Sequence, residues 1–338
     1  MDLDRFHLLA ARYASLRVAV LGDFCLDRYL EIDPEKKEIS IETGLPVHNV
    51  VNVRAQPGGA GTILNNLCAL GIGTIFPLGF AGDDGEGFEL CRALEARPGV
   101  RLDHFIRTAE RRTFTYCKPL VIAPGKSPVE LNRLDSKNWT PTSESLKERI
   151  SSHFEQIARS IDAVIVLDQV DIPETGVVTS TLLKKIFTVQ NPKLLILADS
   201  RRGLSGFPPV TFKMNAAELS VLTQSPKELT LEEIKAQAAA LARKNQQSVF
   251  VTLAERGIVG ANARGEVEHV PALPLRGEID VVGAGDAVSA SLASSLAAGA
   301  TLRDALELAN AAASVVIHKL GTTGTASLEE IAKLLPLA

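Results

Sequence analysis

Short apolar runs alternate with amphipathic stretches along most of the chain. Asp4–Ala14 carries apolar residues at helical spacing and predicts a helix packed outside a sheet. Arg17–Gly22 is a β-branched run that predicts a buried first strand. Thr62–Leu70, stopped by Gly71, predicts a helix, and Thr74–Gly79 a strand. Gly82–Gly87 opens a further helix to about Ala96, its acidic residues suiting a helix N-terminus rather than any chemistry. Arg101–Ile106 and Glu130–Leu134 read as strands. From there the alternation is regular: helix Pro141–Ser160, strand Ala163–Leu167, helix Pro173–Val189, strand Leu194–Ala198, helix Leu231–Lys244 and strand Ser248–Leu253. Strand Ile258–Asn262, a ribbon over Glu266–Val270 and helices at Ala287–Ala298, Leu302–His318 and Leu328–Leu335 complete the chain. Repeated strand–helix units predict an α/β fold, a doubly wound, mainly parallel sheet with helices on both faces.

Two segments break that period. Glu31–Arg54 alternates polar and apolar residues, as does Arg112–Lys118 running on to Val121-Ile122. Neither is interleaved with helices, so they predict a small sheet beside the main domain, over about 31–55 and 112–123. No linker-like run divides the sequence, and a single domain over 1–338 carrying this appendage is expected.

Composition narrows the partners. The 338 residues are 46% hydrophobic and 22% charged, ample for a large core. A net charge of −4 with both signs interspersed gives no footprint for nucleic acid or an anionic membrane. Cys25, Cys68, Cys91 and Cys117 form no C-x-x-C pair, and the six histidines no ligand spacing, which argues against zinc and against a disulfide framework. With no basic-then-apolar leader and no apolar run of spanning length, a cytoplasmic protein is expected.

The chemistry concentrates in Asp280-Val-Val-Gly283-Ala284-Gly285-Asp286. Glycines flanking one alanine let the backbone turn tightly and aim successive N–H groups into one concavity, at the start of a helix. That is a phosphate site, and a carboxylate placed on it would repel a resting pyrophosphate. Asp286 makes sense as the acceptor of a proton from a hydroxyl attacking a phosphoryl group held there. Asp23 and Asp27 follow the first strand, where open α/β sheets bind ligands, although Asp27 equally suits a turn cap. Gly58 and Gly59 precede a helix and read as a turn. Asn215 at a strand end with Glu218 three residues on is, by itself, a helix cap. Asn310-Ala-Ala-Ala313 offers a flat helix face on which an adenine could lie, though helix packing selects the same alanines.

Asp-x-x-Gly-Ala-Gly-Asp resembles the C-terminal signature of the ribokinase-like, or phosphofructokinase-B, carbohydrate kinases. Gly22-Asp-Phe-Cys-Leu-Asp-Arg-Tyr and Asn310–Thr322 look especially like the heptose phosphate kinase branch. The resemblance implies transfer of the ATP γ-phosphate to a sugar or sugar-phosphate hydroxyl, with magnesium and, at the Asp280 loop, a monovalent cation such as potassium. Asp286 would be the base, with Gly283, Ala284 and Gly285 supplying amides; Asp27, Gly58, Gly59, Thr62 and Asp168 would hold the sugar. Asn215 and Glu218 would organise magnesium through water, and Thr252, Gly257 and Asn310 the nucleotide. The small sheet would serve as lid and as the contact of a homodimer, and Lys319–Gly324 would close the site region.

The sequence departs from the pattern at Thr62, where heptose phosphate kinases usually have Asn, at Val281 and Val282, where many relatives have a Thr, and after Asp168. The acceptor therefore stays open between a heptose 7-phosphate and ribose, fructose or a nucleoside. Bifunctional members of that branch carry an added nucleotidyltransferase domain, so this sequence is expected to be the kinase half. Rivals from other classes are a dehydrogenase, for which no complete G-x-G-x-x-G exists, and a non-catalytic sugar-binding protein. The P-loop signature is missing too.

Overall fold

The computed structural model describes every residue except 190, 192, 322 and 336–338. Helix α1 (Leu3–Tyr13), capped by the Asp2 side chain accepting from the Arg5 N–H, leads into β1 (Arg17–Gly22). β2 (Phe24–Ile39) and β3 (Pro46–Gly59) follow as one long ribbon, then α2 (Ala60–Ala69), β4 (Thr74–Gly82), α3 (Gly85–Glu95), β5 (Phe105–Thr108), β6 (Phe114–Val121) and the short β7 (Val129–Glu130). The second half runs α4 (Glu144–Ile157), β8 (Ala163–Asp168), α5 (Ser180–Thr188), β9 (Leu195–Ser200), β10 (Thr211–Asn215), α6 (Ala216–Leu222) and α7 (Leu231–Asn245). It ends with β11 (Val249–Thr252), β12 (Ile258–Ala261), β13 (Val267–Val270), α8 (Ala284–Ala297), α9 (Leu302–Ile317) and α10 (Leu328–Ala332).

Among the described residues the main sheet has nine strands in the order β13-β12-β11-β10-β9-β8-β1-β4-β5. It is parallel from β5 to β11, with β12 and β13 added antiparallel at one edge. β1 is apolar from Val18 to Leu21 because both its faces are covered: Val18 and Val20 enter one hydrophobic cluster, Ala19 and Leu21 the other. Helices α1, α2, α3, α8, α9 and α10 supply the first cluster, and α4 to α7 the second. This is the doubly wound architecture that the alternation predicts.

The small sheet has the order β3-β2-β6-β7, with β2 antiparallel to β3 and parallel to β6. Its ribbon is longer than 31–55: pairing runs from Phe24 opposite Gly59 out to Ile39 opposite Pro46, with register shifts at Ile32. Gly58 and Gly59 are thus the end of a strand rather than a turn, and Asp27 sits on the sheet itself. Ile39, Ile41, Val50, Val51 and Val53 stand exposed on this sheet and its tip.

Three expected elements change. Helix Pro173–Val189 begins only at Ser180, because Asp23 pins the preceding loop: its carboxylate accepts from the N–H groups of Gln169 (2.9 Å) and Val177 (2.6 Å). Glu130–Leu134 contributes only Val129–Glu130 as strand, after which the chain follows β6 through the single bonds Leu131 N–H to Pro119 O and Leu134 N–H to Cys117 O. Arg101–Ile106 splits into a 3-10 turn at Leu102–His104 and β5. The acidic Gly82–Gly87 segment is structural as expected, Asp84 accepting from Gly87 N–H and from Thr113 N–H and Oγ1. Within Lys319–Gly324, Thr322 lies outside the described residues.

Candidate active site

The C-terminal ends of β9 and β10 and the start of α8 meet at one floor. Gly283 takes φ +83°, a left-handed conformation that a side chain would resist, and so lets the chain turn from the Asp280 loop into α8. Asp280 shapes that loop, its carboxylate accepting from the Val282 N–H at 3.0 Å. The Ala284 N–H is turned back to Val281 O at 3.2 Å, which takes one expected donor out of the nest. The N–H groups of Gly283, Gly285 and Asp286 have no acceptor among the described residues. They form the anion-binding end of a 14-residue helix.

Asp286 stands in the first turn of α8. Burial pushes its carboxyl up to about 7, helped by the nearby Asp199 and Asp27 and opposed by Lys213. A carboxylate poised there can accept a proton near neutral pH. Lys213 and Asp199 carry no role in the sequence reading, although a lysine between the apolar Phe212 and Met214 of β10 was the available signal. Lys213 Nζ is buried and 2.7 Å from Asp199 Oδ2, which also accepts from Ser289 Oγ at 3.1 Å.

Where the resemblance expects a sugar, the sheet end and the nest come together. A Cβ on Gly58 would lie 2.6 Å from the Asp27 carboxyl carbon, so only glycine lets the strand pass beneath that carboxylate. Burial raises Asp27 above its ordinary value, while Lys118 and Arg133 draw it back. Thr62 is buried, and its methyl lies 3.7 Å from the place of a Gly283 Cβ, which links α2 to the nest. Gly59, at φ +57°, hands β3 over to α2.

Asp168 lies at the β8 end, one strand over from them. It is fully buried, with Oδ2 accepting from Arg202 Nη2 (2.6 Å) and Ser200 Oγ (3.0 Å), which braces the β8–β9 ends, while its buried Oδ1 has no partner among the described residues. Arg202 is held by that pair, and Arg201 pairs with Asp171 at 3.2 Å.

A cleft of about 950 Å³ adjoins the nest, lined by Asn215, Thr252, Gly257, Gly285, Asn310 and Ser314 among others. That is room for a nucleotide. Asn310 lines this cleft, and its Nδ2 donates to Pro271 O at 2.7 Å, tying the Pro271–Leu275 wall to α9. Thr252 Oγ1 reaches Met214 O at 3.4 Å, and Gly257, at φ +89°, turns the chain along the cleft. Asn215 and Glu218 form the reciprocal cap, Glu218 N–H to Asn215 Oδ1 (2.9 Å) and Asn215 N–H to Glu218 Oε2 (2.8 Å).

No three acidic, histidine or cysteine side chains converge as a metal cage among the described residues. Glu218 keeps Oε1 outside its cap bond. One free carboxylate oxygen near a phosphate nest suits magnesium, which is held mostly by phosphates and water.

These features fit phosphoryl transfer on a doubly wound sheet, and the comparisons with known proteins agree. The pfkB family carbohydrate kinase model matches residues 16–329. The bifunctional protein HldE of Gluconacetobacter diazotrophicus is 32% identical over 326 residues, 94% of this chain and 63% of that protein. HldE of Helicobacter pylori is 32% identical over 324 residues, covering 94% and 66%. The chain thus spans about two thirds of the length of the curated relatives it matches. Phosphofructokinase-2 from Escherichia coli, solved with substrates and products, superposes with a TM-score of 0.72 at 19% identity, over 95% of this chain and 99% of that one. Arabidopsis thaliana ribokinase, complexed with ribose and ATP, gives 0.65 at 21% identity, over 96% and 99%. The fold is ribokinase-like and the class that of ATP-dependent sugar kinases. The chain belongs to the pfkB family of carbohydrate kinases. Among the described residues no helix is long and apolar enough to cross a membrane.

Proposed function

We propose that this chain transfers the γ-phosphate of ATP to a hydroxyl of a phosphorylated sugar, with a heptose 7-phosphate as the first acceptor to test. The observation that carries the transfer is Asp286, a half-buried carboxylate raised to about 7 by desolvation, set on the unpaired amides of Gly283, Gly285 and its own N–H. Asp286 takes the proton of the attacking hydroxyl; the amides hold the charge of the transferring group. Asp27 and the Gly58-Gly59 strand end orient the sugar, and Thr62 bounds it beside the nest. Asn215, Thr252, Gly257 and the wall held by Asn310 line the nucleotide. Glu218 would help to hold magnesium, which would supply charge neutralisation for the phosphates.

The phosphorylated acceptor is favoured by the cations on the sugar side. Lys118 and Arg133 act on Asp27, and the Tyr116 ring carries Arg133 at 4.9 Å and Lys137 at 5.8 Å. A neutral sugar needs none of them. The similarity to the HldE proteins and the Gly22–Tyr29 stretch point the same way. The small sheet acts as a lid that excludes water, and its exposed valines and isoleucines pair two chains. ATP-to-ADP turnover with magnesium, run across sugars, sugar phosphates and nucleosides, tests the reading. Stimulation by sugar phosphates above neutral sugars is expected. A preference for unphosphorylated sugars or nucleosides would reject the acceptor class while leaving the kinase intact.

A further inference from the structure

On the small sheet, Asp27 of β2 has Gln56 of β3 directly opposite on one side and Tyr116 of β6 on the other. Directly opposed residues share a face, with Cβ atoms about 5 Å apart. The other polar side chains that β3 puts on this face are committed. Asn52 Nδ2 donates to Glu31 Oε2 at 2.9 Å, and Arg54 Nε donates to Glu31 Oε1 at 2.6 Å, its guanidinium 4.8 Å from the Tyr29 ring. Gln56 differs. Its Nε2 is closed off from solvent and has no hydrogen-bond partner among the described residues. A desolvated donor left unpaired costs stability, and a methionine of the same length would avoid that cost. The side chain as a whole is half-buried, so the amide keeps an open side. A half turn about its broad terminal torsion carries the NH2 group there.

We infer that Gln56 is a specificity-determining residue for the acceptor: Asp27 accepts a hydrogen bond from one hydroxyl of the sugar, and the Gln56 amide donates to the oxygen of the neighbouring hydroxyl. This rests on the sugar-kinase reading and narrows its acceptor to a polyol with two adjacent free hydroxyls at the end held by the small sheet. An ionised carboxylate only accepts, whereas an amide supplies N–H donors, so the pair tells the two oxygens apart and fixes which way round the sugar lies. Gly58 serves the same arrangement. A Cβ there would lie 2.6 Å from the Asp27 carboxyl carbon, so glycine leaves the carboxylate free to lie over β3, next to Gln56 on the same face. Orientation matters because the attacking hydroxyl has to arrive at Asp286 and the nest in line. An acceptor without the second hydroxyl leaves the amide unpaired in a dry site and is rejected for that reason.

Gln56→Met keeps the length of the side chain and removes the amide. Acceptor kcat and KM are measured by ADP formation with magnesium, using a heptose 7-phosphate beside the other sugar phosphates, sugars and nucleosides, together with ATP affinity by calorimetry and Tm. For the acceptor that the wild type turns over best, the variant is expected to lose about tenfold in kcat/KM, mostly through KM. ATP affinity should stay within about twofold and Tm should not fall, since an unpaired buried donor has been removed. Against analogues of that acceptor each lacking one hydroxyl, the variant should lose its discrimination at a single position and keep it elsewhere. An acceptor kcat/KM within about twofold of wild type would make Gln56 a bystander and overturn the inference. A lower Tm with acceptor and ATP both weakened would mark packing damage and overturn it too. If no compound raises wild-type turnover above the background without acceptor, the sugar-kinase reading falls and takes the role of Gln56 with it.

Discussion

Replacing Asp286 by Asn tests the chemistry most directly, and pH adds a second axis. The side chain keeps its shape but cannot take a proton, so turnover should fall by roughly two to four decades, the range for loss of a general base. ATP affinity should hold, because the amides of Gly283 and Gly285 remain. In the wild type a carboxyl at about 7 is half ionised at neutral pH. Its ionised fraction should carry kcat/KM up by roughly tenfold between pH 6 and pH 8. The variant's profile should be flat over that range. Stability moves with the same group. Folding raises the carboxyl from 3.8 to about 7, so its contribution is fully present below 3.8 and is lost as pH climbs to about 7. Asparagine has no proton to lose, so the Tm advantage of Asp286→Asn should grow across that window and level off above it. Initial rates of ADP formation and thermal melts on the same samples read both. An Asn variant that turns over normally, or keeps the acidic limb of the wild type, would refute Asp286 as the base.

Other substitutions separate the roles assigned around it. Gly58→Ala drives a methyl to within 2.6 Å of the Asp27 carboxyl carbon. It should lower kcat/KM for the sugar by roughly ten- to a hundredfold at unchanged ATP affinity; a matching loss of ATP affinity would mean general damage instead. Asp168→Ala removes a buried partner of Arg202 and Ser200 and should cost about 3 kcal/mol in urea unfolding with the sugar KM unchanged. A raised KM in a stable Asp168→Ala protein would return Asp168 to the sugar site. Val51→Glu with Val53→Glu puts charges among the exposed apolar positions of the small sheet and should turn a dimer into monomers by light scattering. A wild type that is already monomeric would remove the dimer proposal.

Much of this protein is legible in its sequence for a local reason. Hydrophobic period and glycine placement report on backbone conformation and burial within a few residues. The alternation of strands and helices gave the doubly wound sheet, and Gly283-Ala-Gly-Asp286 gave a nest at a helix start. Asn215 and Glu218 read as a cap and form one. What the tertiary structure alone decided concerns groups far apart in sequence. The resemblance implies a sugar ligand at Asp168, and only the fold brings Arg202 and Ser200, from the next strand end, onto its Oδ2. The helix expected from Pro173 is cut back because Asp23, well over a hundred residues earlier, claims the Gln169 and Val177 amides. Asn310 turns its amide to Pro271, and Lys213 finds Asp199 and Gly285 only when β9, β10 and α8 converge. Partner choice among buried polar groups depends on which chain segments the fold packs together, and desolvation makes each of those pairings binding. No local pattern encodes it.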